Sequence, residues 1–129
     1  MVVALANARA QAAARALPAC LGGHGTEEGS PVWMRDYSAT RKLSADATDR
    51  LDAVLDRCCA ERIVMGHTPQ AIINGTAAGK AWRVDVGASR GMGGGEPQVL
   101  EIIHGAVEDE MYVITASQGR IPASKLIVG

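Results

Sequence analysis

Phenylalanine is absent from this 129-residue chain, and two tryptophans and two tyrosines bring the aromatic content to only 3%. The core must therefore be assembled mainly from Val, Ile, Leu, Met and Ala, which bury less area per residue than aromatic rings do. Cysteine is equally scarce. There are three, Cys20, Cys58 and Cys59, and an odd number with two adjacent suits neither a disulfide framework nor a Cys-x-x-Cys pair. Reduced thiols in an intracellular compartment are the expectation, and a secreted protein is not. No apolar run approaches the roughly 20 residues that span a bilayer, so no membrane is expected. Thirteen basic and fourteen acidic residues leave a net charge of -1. With no basic run or aromatic-interleaved patch, nucleic acid is excluded as a partner.

What is present suits one soluble α/β unit: 47% of residues are apolar and 21% charged. Residues 1–26 carry Arg9 and Arg15 and no acidic side chain. Organellar transit peptides share that bias, but the segment lacks their serine richness. An alanine-rich helix over residues 4–16, stopped by Pro18, accounts for it instead. Residues 21–31 are rich in Gly and read as a loop, and residues 32–37 as extended chain. This divides the chain into residues 1–29, helix and glycine-rich loop, and residues 30–129, the main unit.

Within that unit Ser44 is a natural N-cap, Asp46 and Asp49 suit the positive end of a helix dipole, and Leu51, Val54, Leu55 and Cys58 recur at helical spacing. A helix over residues 45–60 is predicted. Ile63, Val64 and Met65 form a short apolar strand, ended by Gly66 and Pro69. Asn74-Gly75 and Ala78-Gly79 read as turns, and Trp82, Val84 and Val86 alternate with Arg83 and Asp85 as in a half-buried strand. A glycine loop over residues 91–97 follows, then strands over residues 99–103 and 111–115.

Three segments carry chemistry: Gly66-His67-Thr68-Pro69-Gln70, then Trp82-Arg83-Val84-Asp85-Val86-Gly87-Ala88-Ser89, and upstream Ser30-Pro31-Val32-Trp33-Met34-Arg35-Asp36-Tyr37. In order and spacing they resemble the C-terminal third of a calcineurin-like metallophosphoesterase, in the phosphoprotein-phosphatase branch and, within it, the Shewanella-like protein phosphatases. The likeness implies an α/β fold, the C-terminal portion of a calcineurin-like sandwich with two helices followed mostly by strands. It makes residues 30–129 a partial phosphoesterase domain.

By this resemblance His67 is a ligand to one of two divalent metal ions, Mn, Fe or Zn, that clamp a phosphate ester and activate water. A histidine just past a buried strand stands where α/β sheets bind ligands, although a lone Gly-His-Thr is weak by itself. Asp85 matches a strand-end aspartate beside the site. It either orients an imidazole or caps a turn. Arg35 is a candidate phosphate contact, since its planar guanidinium can donate two parallel hydrogen bonds, with a solvated arginine as the alternative. Arg83 and Arg90 read as surface charges. His24, in Gly23-His24-Gly25, lacks a preceding strand and reads as a loop residue, as does His104. Residues 91–95 are not a phosphate loop, because no Lys-Ser or Lys-Thr follows.

The family's other ligand motifs, Gly-Asp-x-His-Gly, Gly-Asp-x-x-Asp-Arg-Gly and Gly-Asn-His-Glu, occur nowhere in the sequence. The resemblance thus implies a metal-dependent phosphoesterase acting on phosphorylated protein or small phosphoesters, while this chain alone is expected to be inactive and to hold metal poorly. A family member with a cytoplasmic or chloroplast location, or a fragment of one, fits this. The competing reading is a truncated, non-catalytic interaction module that keeps the sheet as scaffold and meets a partner at an exposed sheet edge.

Overall fold

The computed structural model describes residues 34–38 and 42–128. The helix expected over residues 4–16, the loop over residues 21–31, and Val32 and Trp33 lie outside them. Among the described residues the chain is mixed α/β, with one α-helix and two three-stranded sheets.

Helix α1, Ala45–Cys58, forms where the sequence predicts it. The Ser44 Oγ accepts a hydrogen bond from Ala47 N at 3.2 Å, a cap worth about 1 kcal/mol. Ala47, Leu51 and Leu55 are its buried stripe. The helix stops at Cys59, which turns left-handed (φ 49, ψ 44) and gives its N–H to the carbonyls of Asp56 and Leu55.

The first sheet has the order β1-β3-β2, with β1 at Ile63–Met65, β2 at Asn74–Thr76 and β3 at Ala81–Arg83. Strands β1 and β3 are parallel, and β2 runs antiparallel to β3. The second sheet is an antiparallel meander of β4 (Gln98–Ile103), β5 (Glu110–Thr115) and β6 (Gly119–Pro122).

Three layers result. On one face of the first sheet, Met65 and Ala81 pack with Leu43, Ala47, Leu51 and Leu55. On the other, Trp82 packs with Ile73, Val113 and Ala123, joined by Val64, Leu100 and Met111. The first sheet is thus covered on both faces, and this overturns two sequence expectations. Strand β3 is not half-buried, because all three of its residues are buried, and Arg83, read as a surface charge, is only 1% exposed. Arg90 is exposed as expected.

Asn74 and Gly75 do not make a turn either. They belong to β2, where Gly75 pairs with Trp82. A Cβ on Gly75 would lie 3.0 Å from the indole Cζ2, so glycine is there to let the ring approach the neighbouring strand. The expected turn at Ala78-Gly79 does form, as a short 3₁₀ segment over Ala77–Gly79. Part of the extended piece expected over residues 32–37 is instead a turn, closed by Ser38 N donating to the Arg35 carbonyl at 3.1 Å.

Among the described residues no helix is long and apolar enough to cross a membrane.

Candidate functional site

Parallel pairing of β1 with β3 puts the carboxyl ends of both strands side by side. The register pairs Met65 with Arg83, so His67 and Asp85, each two residues further on, emerge together. The Asp85 carboxylate then does two things. Oδ2 accepts a hydrogen bond from the His67 backbone N at 2.9 Å, and Oδ1 accepts one from Gly87 N at 2.9 Å. The Asp85 carbonyl accepts a third, from Gln70 N at 2.8 Å. One residue therefore fixes both ends of the Gly66–Gln70 turn and the exit of its own strand.

His67 is held with φ at 78, a left-handed conformation that a non-glycine residue adopts at a cost of about 1–2 kcal/mol. Its side chain is exposed. Of the two roles the sequence left open for Asp85, its hydrogen bonds describe the turn cap: they reach main-chain nitrogens.

Arg35 is brought to the same end of the sheet by its turn. Thr68 Oγ1 donates to Ser38 Oγ at 2.9 Å, and Gln70 Nε2 donates to the Ser38 carbonyl at 3.2 Å. Beneath them the buried Arg83 donates from Nε to the Tyr37 carbonyl at 2.9 Å and from Nη1 to Asn74 Oδ1 at 3.1 Å. Burial lowers the Arg83 pKa from its ordinary value. Gln70 is also buried, with its amide oxygen accepting from Asn74 Nδ2 at 3.2 Å. The Arg35 turn is therefore fastened to the His67 turn by Thr68 and Gln70, and to the sheet by Arg83. Arg35 itself is exposed.

The sequence does not mark these fasteners for this purpose. The available signal was Thr68 and Gln70 flanking Pro69, polar residues in a turn whose proline removes a donor.

The glycine-rich stretch folds back on the segment that follows β3. Gly87 has φ 59 and lies where a Cβ would meet the Met92 carbonyl oxygen at 3.0 Å. Gly95 N closes the loop on the Gly87 carbonyl at 3.1 Å. An open cavity of about 430 Å³ lies elsewhere, over the start of α1, lined by Asp36, Lys42, Leu43, Ser44, Ala47 and Arg50.

Among the described residues no group of three or more His, Cys, Asp or Glu side chains is placed to hold a metal ion. The site offers one exposed imidazole beside a carboxylate whose oxygens already accept main-chain hydrogen bonds. That set by itself does not make a two-metal centre.

No family model matches the chain, and no solved structure matches it. The chain is similar to Shewanella-like protein phosphatase 2 of Arabidopsis thaliana, with 41% identity over 84 residues, 64% of this chain and 20% of the relative. It spans about a fifth of the length of that curated relative. A match covering 64% of 129 residues must include the middle of the chain, and His67 with it. The chain is thus related in sequence to a protein phosphatase.

Proposed function

We propose that this chain is the part of a calcineurin-like, metal-dependent protein phosphatase that presents His67 to a catalytic metal ion. The observation that carries the reading is the joint emergence of His67 and Asp85 from parallel strands, with His67 exposed and its main chain held by the Asp85 carboxylate. In this reading residues 30–129 form the phosphatase unit, and His67 contributes one neutral ligand to a pair of Mn, Fe or Zn ions completed by other parts of the whole protein. His67 would hold one such ion, which when bound would supply Lewis-acid activation of a phosphoester. Asp85 acts on His67 through the main chain, and Arg35 contacts phosphate oxygens of a phosphoserine or phosphothreonine side chain. The protein works inside the cell, in cytoplasm or chloroplast.

The test is a chimera. The matched stretch of the Arabidopsis relative is replaced by the corresponding residues of this chain, and turnover of para-nitrophenyl phosphate is measured with Mn. The chimera should be active, and its His67→Ala variant should lose turnover by orders of magnitude without unfolding. A folded His67→Ala chimera with undiminished turnover overturns the ligand role.

One observation favours a second reading, an interaction module. Strand β4 lies at an edge of the second sheet and leaves Val99 58% and Ile103 41% exposed. Unpaired edges invite pairing with another chain. Sedimentation of the purified chain tests this. A monomer at all concentrations, in which Val99→Lys and Ile103→Lys change nothing, removes that reading's support.

A further inference from the structure

Cys58 and Cys59 are unexplained by packing. Free cysteine is among the most buried residue types, yet both of these are exposed. Conformation does not explain Cys59 either. It occupies the left-handed position just after α1, with φ 49, where Gly or Asn is the ordinary choice. The fold nevertheless holds two thiols on consecutive residues, both open to solvent, at the joint leading from α1 into β1 and on to His67.

Adjacent thiols have two chemical fates, and geometry separates them. A trans peptide sets neighbouring Cα atoms about 3.8 Å apart, whereas disulfides span about 4.4–6.8 Å, so a bond between these two sulfurs is strained and easily reduced. A single soft atom bonded to both sulfurs removes the short S–S bond from the ring and relaxes that constraint. We infer that Cys58 and Cys59 form a dithiol modification site for trivalent arsenicals, compounds whose arsenic takes two sulfur ligands at once. The reaction balances without an oxidant. An organic arsenic oxide condenses with both thiols, two As–S bonds form, and the two S–H protons leave with the oxide oxygen as water, with arsenic remaining trivalent. This site is independent of any phosphatase activity.

The probe is phenylarsine oxide, added under native conditions to the full chain carrying Cys20→Ser, so that the pair holds the only thiols. Peptide mapping of the unaltered chain serves as a second measurement. One arsenic per chain should be taken up, and both thiols should disappear from a thiol count. The adduct should survive a large excess of a monothiol and be stripped by a 1,2-dithiol. Cys58→Ser and Cys59→Ser, both surface changes, should each leave only an adduct that the monothiol removes. An adduct on either single-serine variant as resistant as that on the pair overturns the inference. So does uptake seen only in denaturant, or a pair that air converts fully to a stable disulfide.

Discussion

Asp85 holds the main-chain nitrogen of His67 across 18 residues of sequence, through a 2.9 Å hydrogen bond to Oδ2. Its other oxygen is engaged with Gly87 N. Removing the carboxylate abandons both donors, one of them on the buried Gly87. Asp85→Ala should therefore cost about 1–3 kcal/mol of unfolding free energy. Asp85→Asn keeps one acceptor oxygen and should cost less. Urea denaturation of the three proteins checks the order, and an Asp85→Ala midpoint equal to the parent's would show that the clamp contributes nothing.

His67 is exposed and sits at φ 78, a backbone conformation that favours glycine over a residue with a Cβ. His67→Gly should leave stability unchanged or raise it by up to about 1 kcal/mol, since relief of the left-handed conformation opposes the added freedom of the unfolded chain. His67→Ala keeps the steric cost and should gain nothing. Residues that impose local strain and stand open to solvent are the kind retained for a site. A marked loss of thermal stability in His67→Gly would instead make the imidazole structural.

The local signals in the sequence were enough for α1. Ser44, Asp46 and the Leu51 and Leu55 spacing each act within a few residues, and the helix ends within two residues of the expected boundary. Strands β1, β4 and β5 were legible for the same reason. Arg83 and Gly75 were not, because their roles depend on neighbours far along the chain. Alternation around Trp82 reads as one wet face and one dry one. The second cover, α1 and the turn over residues 34–38, makes both faces dry. Of the candidate site, the positions of His67 and Asp85 followed from strand ends, whereas the fastening of the Arg35 turn through Ser38, Thr68, Gln70 and Arg83 needed the tertiary structure.

Gly75 gives that argument a quantitative test. A methyl group there would press on the Trp82 ring from 3.0 Å, and the ring is 1% exposed with its Nε1 donating to the Gly79 carbonyl at 2.8 Å. The indole has little room to yield. Gly75→Ala should destabilise by about 1–3 kcal/mol, the usual cost of overpacking. In a Trp82→Leu background the added cost should shrink markedly, because the clashing atoms are gone. Equal costs in both backgrounds would mean that the glycine serves something other than ring approach.

The two sheets are also tied electrostatically, and the tie has a pH signature. Arg62, just before β1, donates from Nη1 to Asp109 Oδ2, while His104 Nδ1 lies 3.0 Å from Asp109 Oδ1. The Arg62 hydrogen bond first, and the His104 one second, lower the Asp109 pKa below the ordinary carboxyl value of 3.8. A folded-state pKa below the unfolded one means that the unfolded chain binds the proton more tightly. The stabilisation is therefore present above the unfolded pKa and is lost as pH falls through the folded one. Urea midpoints measured from neutral pH downwards should decline on the acid side, and Asp109→Asn should reduce that decline while lowering stability at neutral pH. Arg62→Met should reduce it as well, since it removes the largest cause of the shift. Parallel acid profiles for Asp109→Asn and the parent would show that the acid response arises from other carboxylates.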